Sequence, residues 1–261
     1  MKDITVIIPM HEFSDGAKEL LKRAVESVPE DIQIILACPK GAIKDDLAGI
    51  GERVKVEKVS EETSFQSLVN GAVAKCKTKW FSILEFDDIY TGCWLDNIVA
   101  NIEYHPDTSV FMFLDDVKDF KTDEYVGYGN EAAWASAFSN EIGHIDLDCL
   151  QNFFDFYLTG SVFNRDDWNE VGGLKTNLPI VFWYEFLLRL TNKGKDVYVI
   201  PKVGYVHYLG RDGSLVESYK GVYSDQKEVD YWFNTAKKEY FYVKQRDVKP
   251  YQPKNEEDEE E

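Results

Sequence analysis

Glu85, Asp87 and Asp88 crowd into one short stretch, "EFDD", at the end of the apolar run Trp80-Phe81-Ser82-Ile83-Leu84. Carboxylates held this close repel one another and resist removal from water. Either they face bulk solvent, or a cation offsets them. Hard divalent cations such as Mg2+ and Mn2+ prefer carboxylate oxygen and keep positions open for phosphate and water. His207, in "GYVHYLGRDGSL", adds a neutral imidazole that can ligate a metal, and Arg211 after it can clamp a phosphate. An ordinary strand-end histidine is the other reading of His207. His11, His105 and His144 have no partner at metal-binding spacing, although His11 falls in the turn after the first apolar run. Asp115-Asp116, closing "FMFLDD", reads either as a second acidic cluster on the same sheet edge or, more commonly for such a pair, as a solvated turn.

The elements that must position these side chains alternate. Apolar runs at Ile4–Pro9, Ile32–Ala37, Val54–Val59, "WFSILEF", "SVFMFLDD" and "DVYVIP" read as strands. Helical spacing runs through Ala17–Ser27, Ser64–Cys76, "CWLDNIVANIEYH", Val181–Gly194 and Asp225–Tyr242, and "AIKDDLAGI" suggests a short helix. Alternation of this kind predicts an α/β fold with a mainly parallel sheet covered on both faces. Ligands of such sheets bind beyond the carboxyl ends of the strands, where Glu85, Asp87, Asp88 and the "PMHEF" turn all fall. Residues 120–160 are rich in aromatics and are expected to wall a cleft or to meet a protein partner.

Composition narrows the function. The 261 residues carry a net charge of −18, and the terminal "EEDEEE" supplies six of those negative charges, so the body is acidic too. That balance argues against binding to a nucleic-acid backbone. The tail is expected to be disordered and solvating, with docking to a basic partner as the alternative. The chain start is too quickly interrupted for a secretory signal, and no apolar stretch is long enough for a membrane span, so a cytoplasmic or otherwise soluble protein is expected. Cys38, Cys76, Cys93 and Cys149 have no zinc or redox spacing and read as reduced thiols.

Four segments, in order, resemble the GT-A glycosyltransferases, in particular the large inverting family 2: "DITVIIPMHEF", "SFQSLVNGAVAKCKTKWFSILEFDDIYTGCWLDNIV", "GSVFNRDDWNEVGGL" and "YEFLLRLTNKGKDVYVIPKVGYVHY". The resemblance implies a GT-A fold over residues 1–215, followed by a helical extension at 216–248 and the acidic tail at 249–261. It implies a nucleotide-sugar donor held by Mn2+ or Mg2+, and a glycan, protein or small-molecule acceptor. On that pattern Asp87, Asp88 and His207 hold the metal, and Glu85 serves the ribose or supports the metal ligands from behind. Pro9, His11, Glu12, Asn70 and Arg211 line the donor pocket.

Two positions depart from the family. Ala37 and Cys38 stand where an aspartate commonly pairs with the donor base. Counting back from Arg189, the Glu-Asp pair that supplies the general base falls on Phe182 and Trp183. Glu185 and Asp167 are then the candidate bases, with Asp155 and Asp166 also in the acceptor segment. The loss leaves a second reading open: a catalytically inactive GT-A scaffold with a structural or partner-binding role.

Overall fold

The computed structural model describes residues 3–42, 51, 53–136, 141–178, 180–214, 226–238 and 240. The chain opens with strand β1 (Ile4–Pro9) and helix α1 (Asp15–Ser27), whose first turn is capped by the Ser14 hydroxyl accepting from the Ala17 amide. Strands β2 (Gln33–Pro39) and β3 (Val54–Ser60) follow, then helix α2 (Phe65–Val73), capped in the same way by Ser64. Next come β4 (Trp80–Ile83), the two-residue β5 (Ile89–Tyr90) and α3 (Trp94–Tyr104). The second half holds β6 (Thr108–Asp119), β7 (Tyr125–Gly129), α4 (Leu147–Asn152), β8 (Val162–Asn164) and α5 (Arg165–Val171). It ends with α6 (Phe182–Asn192), β9 (Asp196–Leu209) and α7 (Gln226–Lys237).

These strands form one sheet in the order β3-β2-β1-β4-β8-β6-β9-β5, with β7 hydrogen-bonded to β6. The β3-β2-β1-β4 half is parallel, and so is the long β6–β9 pair; β8 runs antiparallel between the two blocks. Side chains alternate across the sheet into two cores. Ile7, Phe81, Ile83 and Met112 meet α2, α5 and α6, while Val6, Ile8, Trp80 and Phe111 meet α1 and α3. Burial on both faces explains why the strands read as unbroken apolar runs.

Three differences from the sequence reading matter for the site. Strand β4 stops at Ile83, and the chain leaves the sheet so that residues 84–88 form a turn at its carboxyl end. Strand β9 does not end at Pro201 but continues to Leu209. Register shifts around Leu114 absorb the proline, which cannot donate to the ladder. Asp115 and Asp116 are not a turn but lie inside β6, paired with Tyr205 and Val206. The stretch 42–50 called a helix falls almost wholly outside the described residues, as do residues 215–225 and 241–261. Near the chain end, Phe233 packs 4.4 Å from Phe154 and 5.5 Å from Tyr184, and the Tyr240 hydroxyl donates to Glu185 at 3.0 Å. Among the described residues no helix is long and apolar enough to cross a membrane.

Candidate active site

The acidic turn is met from across the sheet by β9. Alternation in "GYVHY" puts Tyr205 and His207 on one face, and both reach the same oxygen. Asp88 Oδ2 accepts from the Tyr205 hydroxyl at 2.8 Å and pairs with His207 Nδ1 at 2.9 Å, while Oδ1 accepts from the Tyr208 amide at 2.8 Å. Tyr205 lies flat here because residue 160 is glycine, at φ +80°; a Cβ would come within 2.4 Å of the ring. Asp87 Oδ2 accepts from Arg211 Nε at 2.6 Å, and Arg211 Nη1 also donates to Glu12 in the turn after β1 at 3.0 Å. The guanidinium lies over the Phe86 ring, 4.9 Å from its centre.

This packing sets the charges. Burial, with Asp88 and Asp87 alongside, pushes the Glu85 carboxyl up to about 8. Burial and Asp88 raise Asp87 as well, against the pull of Arg211. Burial alone would lower His207, but the carboxylates of Asp88, Glu85 and Asp115 outweigh it and carry the imidazole up to about 10. Asp115 is buried, and its carboxyl is raised well above the ordinary range by desolvation. Its Oδ2 accepts from Asn130 Nδ2 at 3.2 Å, and its Oδ1 has no hydrogen-bond partner among the described residues. The turn is therefore offset by the protein's own cations, Arg211 and His207, and by a proton on Glu85 at neutral pH.

A small concave pocket opens at this edge, lined by Pro9, His11, Phe65, Glu85, Phe86, Asp87, Arg211 and Ser214. Glu85, Asp88 and His207 each offer a ligand atom, all within 4.8 Å of one another. Two carboxyl groups and one imidazole suit Mn2+ or Mg2+ once the ion displaces the protons on Glu85 and His207, so these three fit a divalent ion. Asp87 does not join them, because Arg211 holds it.

The sequence matches no family model and no curated protein. Solved structures do match. The Staphylococcus aureus TarS 1–349 structure in complex with UDP-GlcNAc aligns at TM-score 0.61 and 14% identity, over 84% of this chain and 61% of that one. A mannosyltransferase from Pyrobaculum calidifontis, in complex with GDP-Man and Mn2+, aligns at TM-score 0.56 and 16% identity, over 81% and 58%. The chain has the GT-A fold. It spans about three fifths of the length of these two structures.

On the GT-A sheet the sequence-named residues divide into two groups. Pro9, His11, Glu12, Glu85, Asp87, Asp88, His207 and Arg211 come together around the pocket. The other three are engaged elsewhere. Asn70 donates to the Leu174 carbonyl at 2.8 Å and accepts from the Leu174 amide at 2.9 Å, fastening α2 to the Gly172-Gly173 turn instead of facing a donor. Glu185 is fully buried; Arg189, Lys175 and the Tyr240 hydroxyl all reach its carboxylate. Burial would raise it, but bonds to Arg189 and Lys175 hold it below the usual range, which leaves it a poor base. Asp167 is paired with Lys195 at 2.6 Å. Phe182 and Trp183, at the start of α6, pack on Phe65 at 5.6 and 5.8 Å. Asp115 does lie near His207, as a second acidic group on this sheet edge, while Tyr205 and Asn130 enter the site without a sequence motif; the alternation of "GYVHY" carries the signal for Tyr205.

Proposed function

We propose that this chain is a glycosyltransferase that moves a sugar, with inversion, from a nucleoside-diphosphate donor to an acceptor hydroxyl. The observation that carries the reading is a pocket at the carboxyl edge of a GT-A sheet which sets Arg211 beside the Glu85-Asp87-Asp88 turn. The neighbours' complexes with UDP-GlcNAc and with GDP-Man and Mn2+ support the donor class.

The chemistry follows from the side chains. Arg211 presents a planar fork matched to phosphate oxygens, and the His207 imidazolium lies deeper on the same edge. Both stabilise negative charge that develops on the departing nucleoside diphosphate. A divalent ion held by Glu85, Asp88 and His207 would replace the protons on Glu85 and His207 and would then supply that neutralisation of the leaving group in place of the imidazolium. With Glu185 and Asp167 engaged, we assign the acceptor proton to Asp155. Its stretch leads into Tyr157, whose ring lies 5.2 Å from that of His207; Asp155 keeps an exposed edge, and its partial burial and Glu131 raise its carboxyl above the ordinary value.

The test is incubation with a panel of nucleotide sugars, with and without Mn2+, for the wild type and the Asp88→Asn and Asp155→Asn variants. Transfer or hydrolysis of one sugar, lost in Asp88→Asn and reduced about 10²–10⁴-fold in Asp155→Asn, is expected. If no sugar is consumed and no nucleoside diphosphate binds, the reading is wrong. The aromatic Phe182-Trp183 pair where the family places its base favours a second reading, a scaffold that binds nucleotide without turnover. Binding with no sugar consumed would select it. The exposed Tyr125, Tyr128 and Phe154 then suit a protein partner.

A further inference from the structure

Asp87 belongs to the acidic turn, yet its charge is spent on the protein itself. Arg211 Nε lies 2.6 Å from Asp87 Oδ2, Nη1 lies 3.0 Å from Glu12 Oε2, and the guanidinium face covers Phe86. Arg211 is thus shared by two carboxylates from two different turns, and it lines the same pocket as Glu85. It is close enough to Glu85 to oppose the rise of that carboxyl. A fixed positive charge there also repels any divalent ion at Glu85, Asp88 and His207, in surroundings that screen charge poorly.

We infer that Arg211 is an exchangeable counter-ion: it holds Asp87 in the free protein and leaves it for the donor diphosphate, so the turn binds a divalent cation weakly until the nucleotide arrives. This rests on the nucleotide-sugar reading above. A diphosphate offers the guanidinium the same bidentate oxygens as the carboxylates and carries more charge. Once Arg211 turns to it, Asp87 is left as an unpaired carboxylate beside the three metal-fitting residues. The two bindings are then linked, and each must tighten the other by the same factor. Glu12 and Phe86 make the exchange short in distance, since they hold the guanidinium at the pocket wall rather than in the core.

The experiment measures Mn2+ binding to the whole chain with no nucleotide present, by the electron-spin signal of free Mn2+, for wild type and Arg211→Gln. UDP and GDP binding are measured separately by calorimetry. Removing the guanidinium should tighten Mn2+ about tenfold while weakening the nucleotide by a similar factor. Opposite signs are the mark of an exchange; a residue that merely holds the loop in shape would weaken both. Mn2+ affinity unchanged or lower in Arg211→Gln overturns the inference. Thermal melting establishes that the variant folds, and if it does not, Arg211→Lys carries the test. Lysine keeps the charge but makes a single-point contact, so Mn2+ binding should tighten by a smaller factor, about threefold, and no tightening is again the refuting result. Failure of the glycosyltransferase reading shows up differently, as wild-type protein that binds neither UDP nor GDP.

Discussion

Replacing Glu85 by glutamine tests the electrostatics of the acidic turn with a side chain of nearly the same size and shape. The Glu85 carboxyl stands at about 8 in the folded protein against an ordinary 4.5. At ~1.4 kcal/mol per pKa unit that shift has a ceiling of ~5 kcal/mol. The side chain is only half-buried, and Arg211 and His207 lie nearby, so solvent and counter-charges reduce the effect to about 1–2 kcal/mol. The sign runs against the wild type at neutral pH. Below pH 4.5 the carboxyl is protonated in both states, and folding carries no penalty from it. Between 4.5 and about 8 the unfolded chain releases the proton and the folded chain keeps it, so wild-type stability falls as pH rises. Glutamine has no proton to lose. Thermal melts of the two proteins should therefore coincide near pH 4.5 and separate toward pH 8, where the variant melts about 3–6 °C higher. A gap that does not change with pH, or a variant less stable at pH 8, would refute the account of this turn as internally frustrated.

Two further substitutions probe its supports. Gly160→Ala places a methyl group 2.4 Å from the Tyr205 ring at a backbone φ of +80°. A loss of about 3 kcal/mol or more is expected in urea unfolding, and a loss under 1 kcal/mol would mean the ring can move away. Glu185→Gln leaves Arg189 and Lys175 facing a neutral amide in a buried setting, with an expected cost of about 3–5 kcal/mol. Sugar transfer per folded molecule should be unchanged, and a loss of turnover without a loss of stability would return Glu185 to the role of base.

Much of the fold was legible because its signals are local. Apolar runs bounded by proline, and helical spacing in α1, α2, α3 and α6, each reflect interactions within a few residues. The turn at residues 85–88 was legible for the same reason, since three carboxylates in one short stretch demand compensation wherever they fold. The spacing of Glu185 and Arg189, one helical turn apart, also carried the signal of an ion pair, and it outranks the reading of Glu185 as a base.

The resemblance brought His207 and Arg211 to the turn, but not the direct pairs they make with Asp88 and Asp87. His207 and Arg211 lie more than a hundred residues beyond it, and only the pairing of β9 along β6 and β5 brings them to Asp88 and Asp87. The same pairing draws Asp115 into the sheet, although its sequence neighbourhood resembles a solvated turn. Sequence thus determined which groups bear charge and which segments are buried. Tertiary structure decided which charges meet, because electrostatic compensation depends on distances of a few ångströms between segments that the chain order keeps far apart.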